Sequence, residues 1–272
     1  MFAAGDLGRW MAIEGRDSMQ EHIFSDKTDS VRISSTRVLL ENVEPIQARL
    51  YLRGQSDQAW GLLPTIARTD YWFAGHTMKR PFTLLQERNL LHRFRRYTYE
   101  NEGRVMTKWE VFFLARHHGL PVRLLDWTTN PLVALYWACE FGRETTTDGA
   151  IWVFCRRDRD LDIDVFEEPE PNKIAGIRLI YPFYPSRRIT AQSGLFTIHA
   201  HPWPDLSTLS ATHFPTTDND VVEGEKWCVP KNSKPAIIRE LARLGIDERT
   251  LFPELDGLAR GLLHTELLFR CT

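Results

Sequence analysis

The stretch ARHHGLPVRLLDWTTNPLVALYWACE, residues 115–140, decides how this chain is read. Two adjacent histidines, an arginine, an aspartate, a tryptophan and two threonines fall within the fourteen residues His117 to Asn130, and an apolar run follows at once. Leu124 and Leu125 read as the end of a strand, Asp126 to Asn130 as a tight turn with cap-forming side chains, and Pro131 as the first helical residue, where its missing N–H costs nothing. A helix start leaves backbone N–H groups unpaired, and with the helix dipole these receive phosphate or carboxylate. The stretch therefore predicts a binding site at a strand-to-helix junction. A structural reading stands beside it: Leu132, Ala134, Leu135, Ala138 and Phe141 form a core face, and Asp126 or Thr129 only caps the helix. That reading leaves His117, His118 and Arg123 unexplained.

Working outward, the chain alternates strand-like and helical runs. VRISSTRVLL (31–40) and IQARLYLRG (46–54) are β-branched or apolar runs. The second places Ile46, Ala48, Leu50 and Leu52 on one face, as a half-buried strand requires. Leu84, Leu85, Leu91 and Phe94 predict a helix over 82–96, and Trp109, Phe112 and Phe113 another over 105–117. The junction helix runs from 131 to 141. AIWVFC (150–155) and LFTIH (195–199) read as strands, and KWCVP (226–230) as a short one. Residues 156–188 are acidic and proline-bearing, the mark of a surface excursion, and 203–220 is a Ser/Thr/Asp/Pro-rich loop. KPAIIRELARLG predicts a helix ended by Gly245, and DERTLFPELDGLARGLLHTELL a closing helical segment.

With 272 residues, 43% hydrophobic and 26% charged, the composition is that of a globular protein able to bury one large core. The expected fold is α/β (α+β): a single domain over 30–272 with a central bent, mixed sheet flanked by helices, preceded by an extension over 1–29. The 34 basic and 36 acidic residues leave a net charge of -2, so no global excess points to nucleic acid or membrane. Local basic clusters occur at Arg93, Arg95 and Arg96 and at Arg187 and Arg188, and such clusters are more often solvated faces than phosphate sites. Cys139, Cys155, Cys228 and Cys271 lack the spacing of a structural zinc site and read as reduced thiols, so no metal is expected. Charges come too early for a signal peptide, and no apolar run approaches about 18 residues. A cytoplasmic protein away from the membrane is the expectation.

YLRGQSDQAWGLLPTIAR, LLQERNLLHRFRR, ARHHGLPVRLLDWTTNPLVALYWAC, ITAQSGLFTIH and TLFPELDGLARGL resemble, in that order, the signature segments of the FRG domain over roughly 46–262. The motif that names the family reads Leu52, Arg53, Gly54 here, followed by Gln55. Arg116, His118 and Val122 stand where the family commonly has Gln, Tyr and Thr.

A second resemblance is to the three-part plan of ADP-ribosyltransferases. There an arginine grips NAD, a Ser/Thr strand frames the nicotinamide pocket and a glutamate binds the ribose. LLDWTTNPLVALYWA is similar to the strand and helix of that plan, A-x-x-x-A spacing included. The resemblance implies NAD as substrate, held by Arg53, Gly54, Gln55, Arg123, Asp126, Trp127, Thr128 and Thr129. It also implies transfer to protein or nucleic acid, or NAD hydrolysis, and a toxin or defence role would suit such an enzyme.

The chemistry fits in part. Arg53 offers a planar five-donor fork, and Gly54 lets a ligand approach the backbone. Its alternative is a surface or ion-pair arginine. Gln192 falls where the glutamate would lie, and it supplies neither charge nor a general base. His117 is then the first candidate for proton transfer and Glu87 the second, although Glu87 also reads as a helix-surface carboxylate. Asp126 would orient His117 or Arg123, or cap the helix; Trp127 would stack on a base, or fill the core. The reading from a different class is a non-catalytic FRG module that binds a nucleotide or a nucleic-acid end.

Overall fold

The computed structural model describes residues 31–46, 48–69, 71–73, 76–78, 80–139, 146–156, 162–163, 171–182, 186–202, 206 and 222–270. The expected 1–29 extension, Phe141 and Cys271 lie outside the described residues. In chain order the elements are α1 (Thr36–Val43), β1 (Arg49–Gln55), β2 (Tyr71–Phe73), β3 (His76–Met78), α2 (Leu84–Glu102), α3 (Lys108–His117), β4 (Leu124–Thr128), α4 (Pro131–Cys139) and β5 (Gly149–Arg156). They continue with β6 (Asp162–Ile163), β7 (Ile177–Ile180), α5 (Arg187–Ala191), β8 (Gly194–His199), β9 (Val222–Val229), α6 (Lys234–Arg243), α7 (Glu248–Leu251) and α8 (Leu255–Arg270). The fold is mixed α/β, with β6 and β7 parallel and the other registered pairs antiparallel. No helix among the described residues is long and apolar enough to cross a membrane.

The chain forms two compact units. The described residues of Met1–Gln58, Thr128–Arg157 and Val221–Thr272 make one, and those of Ala59–Trp127 and Asp158–Asp220 the other. In the first, β5 pairs with β1 on one side and β9 on the other. Helix α4 is apolar nearly all round, as a helix sunk in a core must be, and buries Val133, Ala134, Leu135, Ala138 and Cys139 against Leu52, Ile151 and Val153 of the strands. The contact is close because the facing residues are small. A Cβ added at Gly54 would lie 1.9 Å from the Ala134 carbonyl oxygen, and one at Gly149 would lie 2.2 Å from that of Ala138.

The β-branched or apolar run over 31–40 is half helix. Only Arg32 makes a bridge, to Cys228, and α1 begins at Thr36 because Ser35 caps it by accepting from Val38 N at 3.2 Å. Glu240 of α6 fixes that start, its Oε2 accepting from Thr36 N at 2.9 Å and Thr36 Oγ1 at 2.8 Å. A cap and a tertiary anchor override the β-branched composition.

In the second unit α2 and α3 each open on a capping box, Thr83 with Gln86 and Thr107 with Glu110. Helix α2 ends at Gly103, whose φ of 66° is left-handed. Trp109, Phe112 and Phe113 pack with Leu124, Phe196 and Ile198, and Phe113 stacks on Phe196 with centroids 5.4 Å apart. Beyond the acidic part of the expected excursion, strand character returns at Arg178, as RLIYPF implies: Leu179 and Ile180 of β7 are buried, because β7 pairs with β8 from Ile177↔His199 to Ile180↔Phe196. The rest of that excursion and most of 203–220 lie outside the described residues.

Candidate functional site

The turn expected at Asp126 to Asn130 is shorter than its composition implied. Asp126, Trp127 and Thr128 continue β4, and Thr128 pairs with Leu52 of β1. The cap is Asn130: its Oδ1 accepts from Leu132 N at 2.9 Å and its carbonyl from Ala134 N at 3.2 Å. Thr128 Oγ1 accepts from Asn130 N at 3.0 Å, and Thr129 is exposed. Neither Asp126 nor Thr129 caps α4, whereas Pro131 does open it.

Directly opposed residues in an antiparallel pair share a face, and neighbours along a strand alternate. Thr128 and Leu52 therefore point toward α4, while Tyr51, Arg53 and Gln55 point to the other face of the strand. Arg53 and Thr128 lie on opposite faces of β1 and β4. Gly54 looks toward α4, and the space over it is taken by Ala134, Trp137 and Ala138. Its missing side chain admits a helix, so the expected close approach of a ligand there is corrected. Gln55 is buried and accepts from Trp152 Nε1 at 2.7 Å.

The Arg53 face continues across the strands. Arg53 is in register with Trp152, and Trp152 with Lys226, so the three side chains form a row: guanidinium, indole, ammonium. Lys226 Nζ sits 4.6 Å from the Trp152 ring centroid and donates to Gln58 O at 2.5 Å. Lys234, itself buried, donates to Ser56 O at 2.6 Å. Two lysines thus hold the chain where it leaves β1. Arg53 and Lys226 are half-buried, and Trp152 is almost wholly covered.

In the second unit the remaining candidates are tied to one another. Glu87, on the buried face of α2, accepts from Arg123 N at 2.7 Å and Arg123 Nε at 2.6 Å, and Arg123 Nη2 also bonds to it. Arg123 reaches Asn172 Oδ1 at 3.3 Å as well. Burial pushes the Glu87 carboxyl up, and the donors of Arg123 pull the other way. Glu87 is 0% exposed, so its expected alternative as a helix-surface carboxylate is corrected.

Asp126 is held in a fork by Arg116, with Nε at 3.1 and 3.0 Å from its two oxygens and a further contact from Nη2. Arg116 Nη1 also donates to Thr65 Oγ1 at 3.0 Å. The orienting role expected of Asp126 thus falls on Arg116. Trp127 is buried and its Nε1 donates to Thr197 Oγ1 at 3.1 Å, with His199 Nε2 2.9 Å from the same hydroxyl. Burial lowers the His199 pKa to about 3, so its ring is neutral. His117 is the half-buried last residue of α3, set edge-on to His118 at 4.9 Å between centroids. Gln192 is the half-buried C-cap of α5, followed by Ser193 at φ 48°.

Glu87 with Arg123 and Asp126 with Arg116 are therefore pairs the fold itself uses. Trp152, Lys226, Arg116, Thr197 and His199 are the participants that composition did not single out. AIWVFC and LFTIH identify the strands, but the partner of a strand residue depends on register, which one segment alone does not fix. Among the described residues no group of three or more His, Cys, Asp or Glu is placed to hold a metal ion.

Residues 48–147 match the family model of the FRG domain. Arg53, Gly54, Gln55, Glu87, His117, Arg123 and Asp126 to Thr129 lie inside the match, and Gln192 lies outside it. No curated protein and no solved structure matches the chain.

Proposed function

We propose that this chain is a nucleotide-binding FRG-domain protein whose phosphate-bearing ligand is held by Arg53 and Lys226. The observation that carries the reading is the row Arg53, Trp152, Lys226 across three strands. A planar guanidinium grips two oxygens of a phosphate, while an ammonium acts as a point charge. Trp152 orients the ammonium through its ring face, and Gln55 fixes the indole from the other side. The arginine of the family motif thus comes with a second cation two strands away.

NAD is the first nucleotide to test. Its consumption by an ADP-ribosyltransferase-like site would need a proton carrier and a group beside the ribose, for which His117 and Gln192 are the candidates. Glu87 and Asp126 support that chemistry poorly, because each is committed to an arginine. Binding without transfer is therefore the favoured reading.

Calorimetric titration with NAD, ADP-ribose and ATP tests it, beside measurement of released nicotinamide. At least one nucleotide should bind, with affinity falling about tenfold or more in Arg53→Ala and in Lys226→Gln, since a charge-assisted hydrogen bond is worth roughly 1.5–3 kcal/mol. Melting temperatures should change little. Binding that survives both substitutions refutes the reading, and nicotinamide release by the wild-type chain would replace it with the NAD-consuming one.

A further inference from the structure

Helix α2 carries a charge pattern that neither its capping nor its packing uses. From Arg88 to Tyr99 the sequence RNLLHRFRRYTY contains four arginines and a histidine and no acidic residue, in a chain of net charge -2. The acidic residue just before it, Glu87, is turned inward and neutralised by Arg123. Leu91 and Thr98 are buried on the same side as Glu87, and Phe94 packs against that core.

At 100° per residue, Arg88, His92, Arg95, Arg96 and Tyr99 fall on one stripe at i, i+4, i+7, i+8 and i+11, away from the buried side. Arg88, His92 and Arg96 are exposed, as is Arg93 beside the stripe, and Arg95 is half-buried. Tyr99 is 56% exposed and Tyr97 is 68% exposed. None of the four arginines has an ion-pair partner among the described residues. Acidic side chains return only at Glu100 and Glu102, at the far end of the helix.

We infer that this face of α2 binds a single strand of nucleic acid. Exposed arginines along a rigid helix suit a polyanion with evenly spaced phosphates, and the exposed Tyr99 ring on the same stripe is a stacking platform for an unpaired base. From Arg88 to Tyr99 the stripe is about 16 Å long, which matches about five stacked nucleotides. A membrane surface fits less well, because Leu91 and Phe94 pack inward and a single exposed leucine, Leu85, shares the direction of the stripe, too little apolar surface to insert. This surface belongs to a different unit from Arg53, and the inference does not rest on the nucleotide reading.

Fluorescence anisotropy with the full chain tests it, using labelled 20-nucleotide single strands and a duplex of the same length between 50 and 200 mM salt. The single strand should bind at least tenfold tighter than the duplex. Its log affinity should fall with log salt at a slope near -2, about -0.7 for each of three phosphates. Substituting Arg88, Arg95 and Arg96 together by Gln should weaken binding at least tenfold and flatten that slope. Tyr99→Ala should weaken binding about tenfold with the slope unchanged. Arg96→Glu alone serves if the triple variant folds poorly, and Arg37→Gln, an exposed change on α1, is the control. The inference is overturned by absence of single-strand binding at 50 mM salt, by equal or tighter binding of the duplex, or by wild-type affinity in Tyr99→Ala or Arg96→Glu.

Discussion

Gly54→Ala separates two roles for the glycine of the family motif. A glycine that admits a ligand can be replaced with loss of binding and little loss of stability; one that admits a helix cannot. A Cβ at Gly54 would lie 1.9 Å from the Ala134 oxygen, 2.6 Å from Ala138 N and 2.8 Å from Trp137 Cβ. Ordinary contact needs about 3.5 Å, so α4 must retreat from β1 by about 1.5 Å. Two of the three neighbours are backbone atoms of a hydrogen-bonded helix, so no side-chain rotation relieves the clash. Overpacking of this kind costs about 1–3 kcal/mol or more, against a gain of about 0.5–1 kcal/mol from replacing glycine in a strand. A net loss of about 1–2 kcal/mol over a chain of 272 residues corresponds to roughly 2–4 °C of melting temperature. Calorimetry and urea midpoints measure it. Gly103→Ala is the contrast, because there nothing lies within 4 Å of the new Cβ and the cost is the left-handed φ alone, about 1–2 kcal/mol. A Gly54→Ala variant that melts within a degree of wild type would refute the packing role.

Two further outcomes follow from buried groups. Glu87→Ala strands the Arg123 charge where Arg123 is 5% exposed, and should cost about 3–5 kcal/mol in chemical denaturation; the double variant with Arg123→Met should recover much of that, and additive losses would deny the coupling. His199, held neutral with its pKa lowered from 6.5 to about 3, contributes stability that is complete above pH 6.5 and is lost as pH falls toward 3. Between pH 6.5 and 5 the loss is about 2 kcal/mol, and a His199→Leu variant with the same acid slope as wild type would show that other groups set it.

The legible part of the fold was the part with local causes. Helices α2 and α3 follow from apolar spacing between sequence-visible boxes, Thr83 with Gln86 and Thr107 with Glu110. The strands β5 and β8 follow from short apolar runs too short for helices. Helix α1 has no such local signature, because its anchor, Glu240, lies 204 residues away. At the junction, polar residues suggested a turn, and β4 instead carries Asp126 within a strand because Arg116, ten residues earlier, neutralises it. A polar residue in sequence shows its own hydrogen-bonding capacity and not whether a partner already fills it.

That distinction governs the candidate site as well. The cluster from His117 to Thr129 is dense in titratable groups, which is what an active site looks like. It is also what a folded unit looks like when it holds one buried and one half-buried arginine, Arg123 and Arg116, because a guanidinium drawn out of water calls for a carboxylate. Arg123 has Glu87 and Arg116 has Asp126, so the density of the segment is accounted for by pairing inside one unit. Arg53 stands in another setting: its neighbours across the strands are an indole and an ammonium. A second cation in the same row raises the local potential, and a raised potential favours an anion. That potential supports the ligand proposed at Arg53, while Glu87 with Arg123 and Asp126 with Arg116 are explained by their pairing inside one unit.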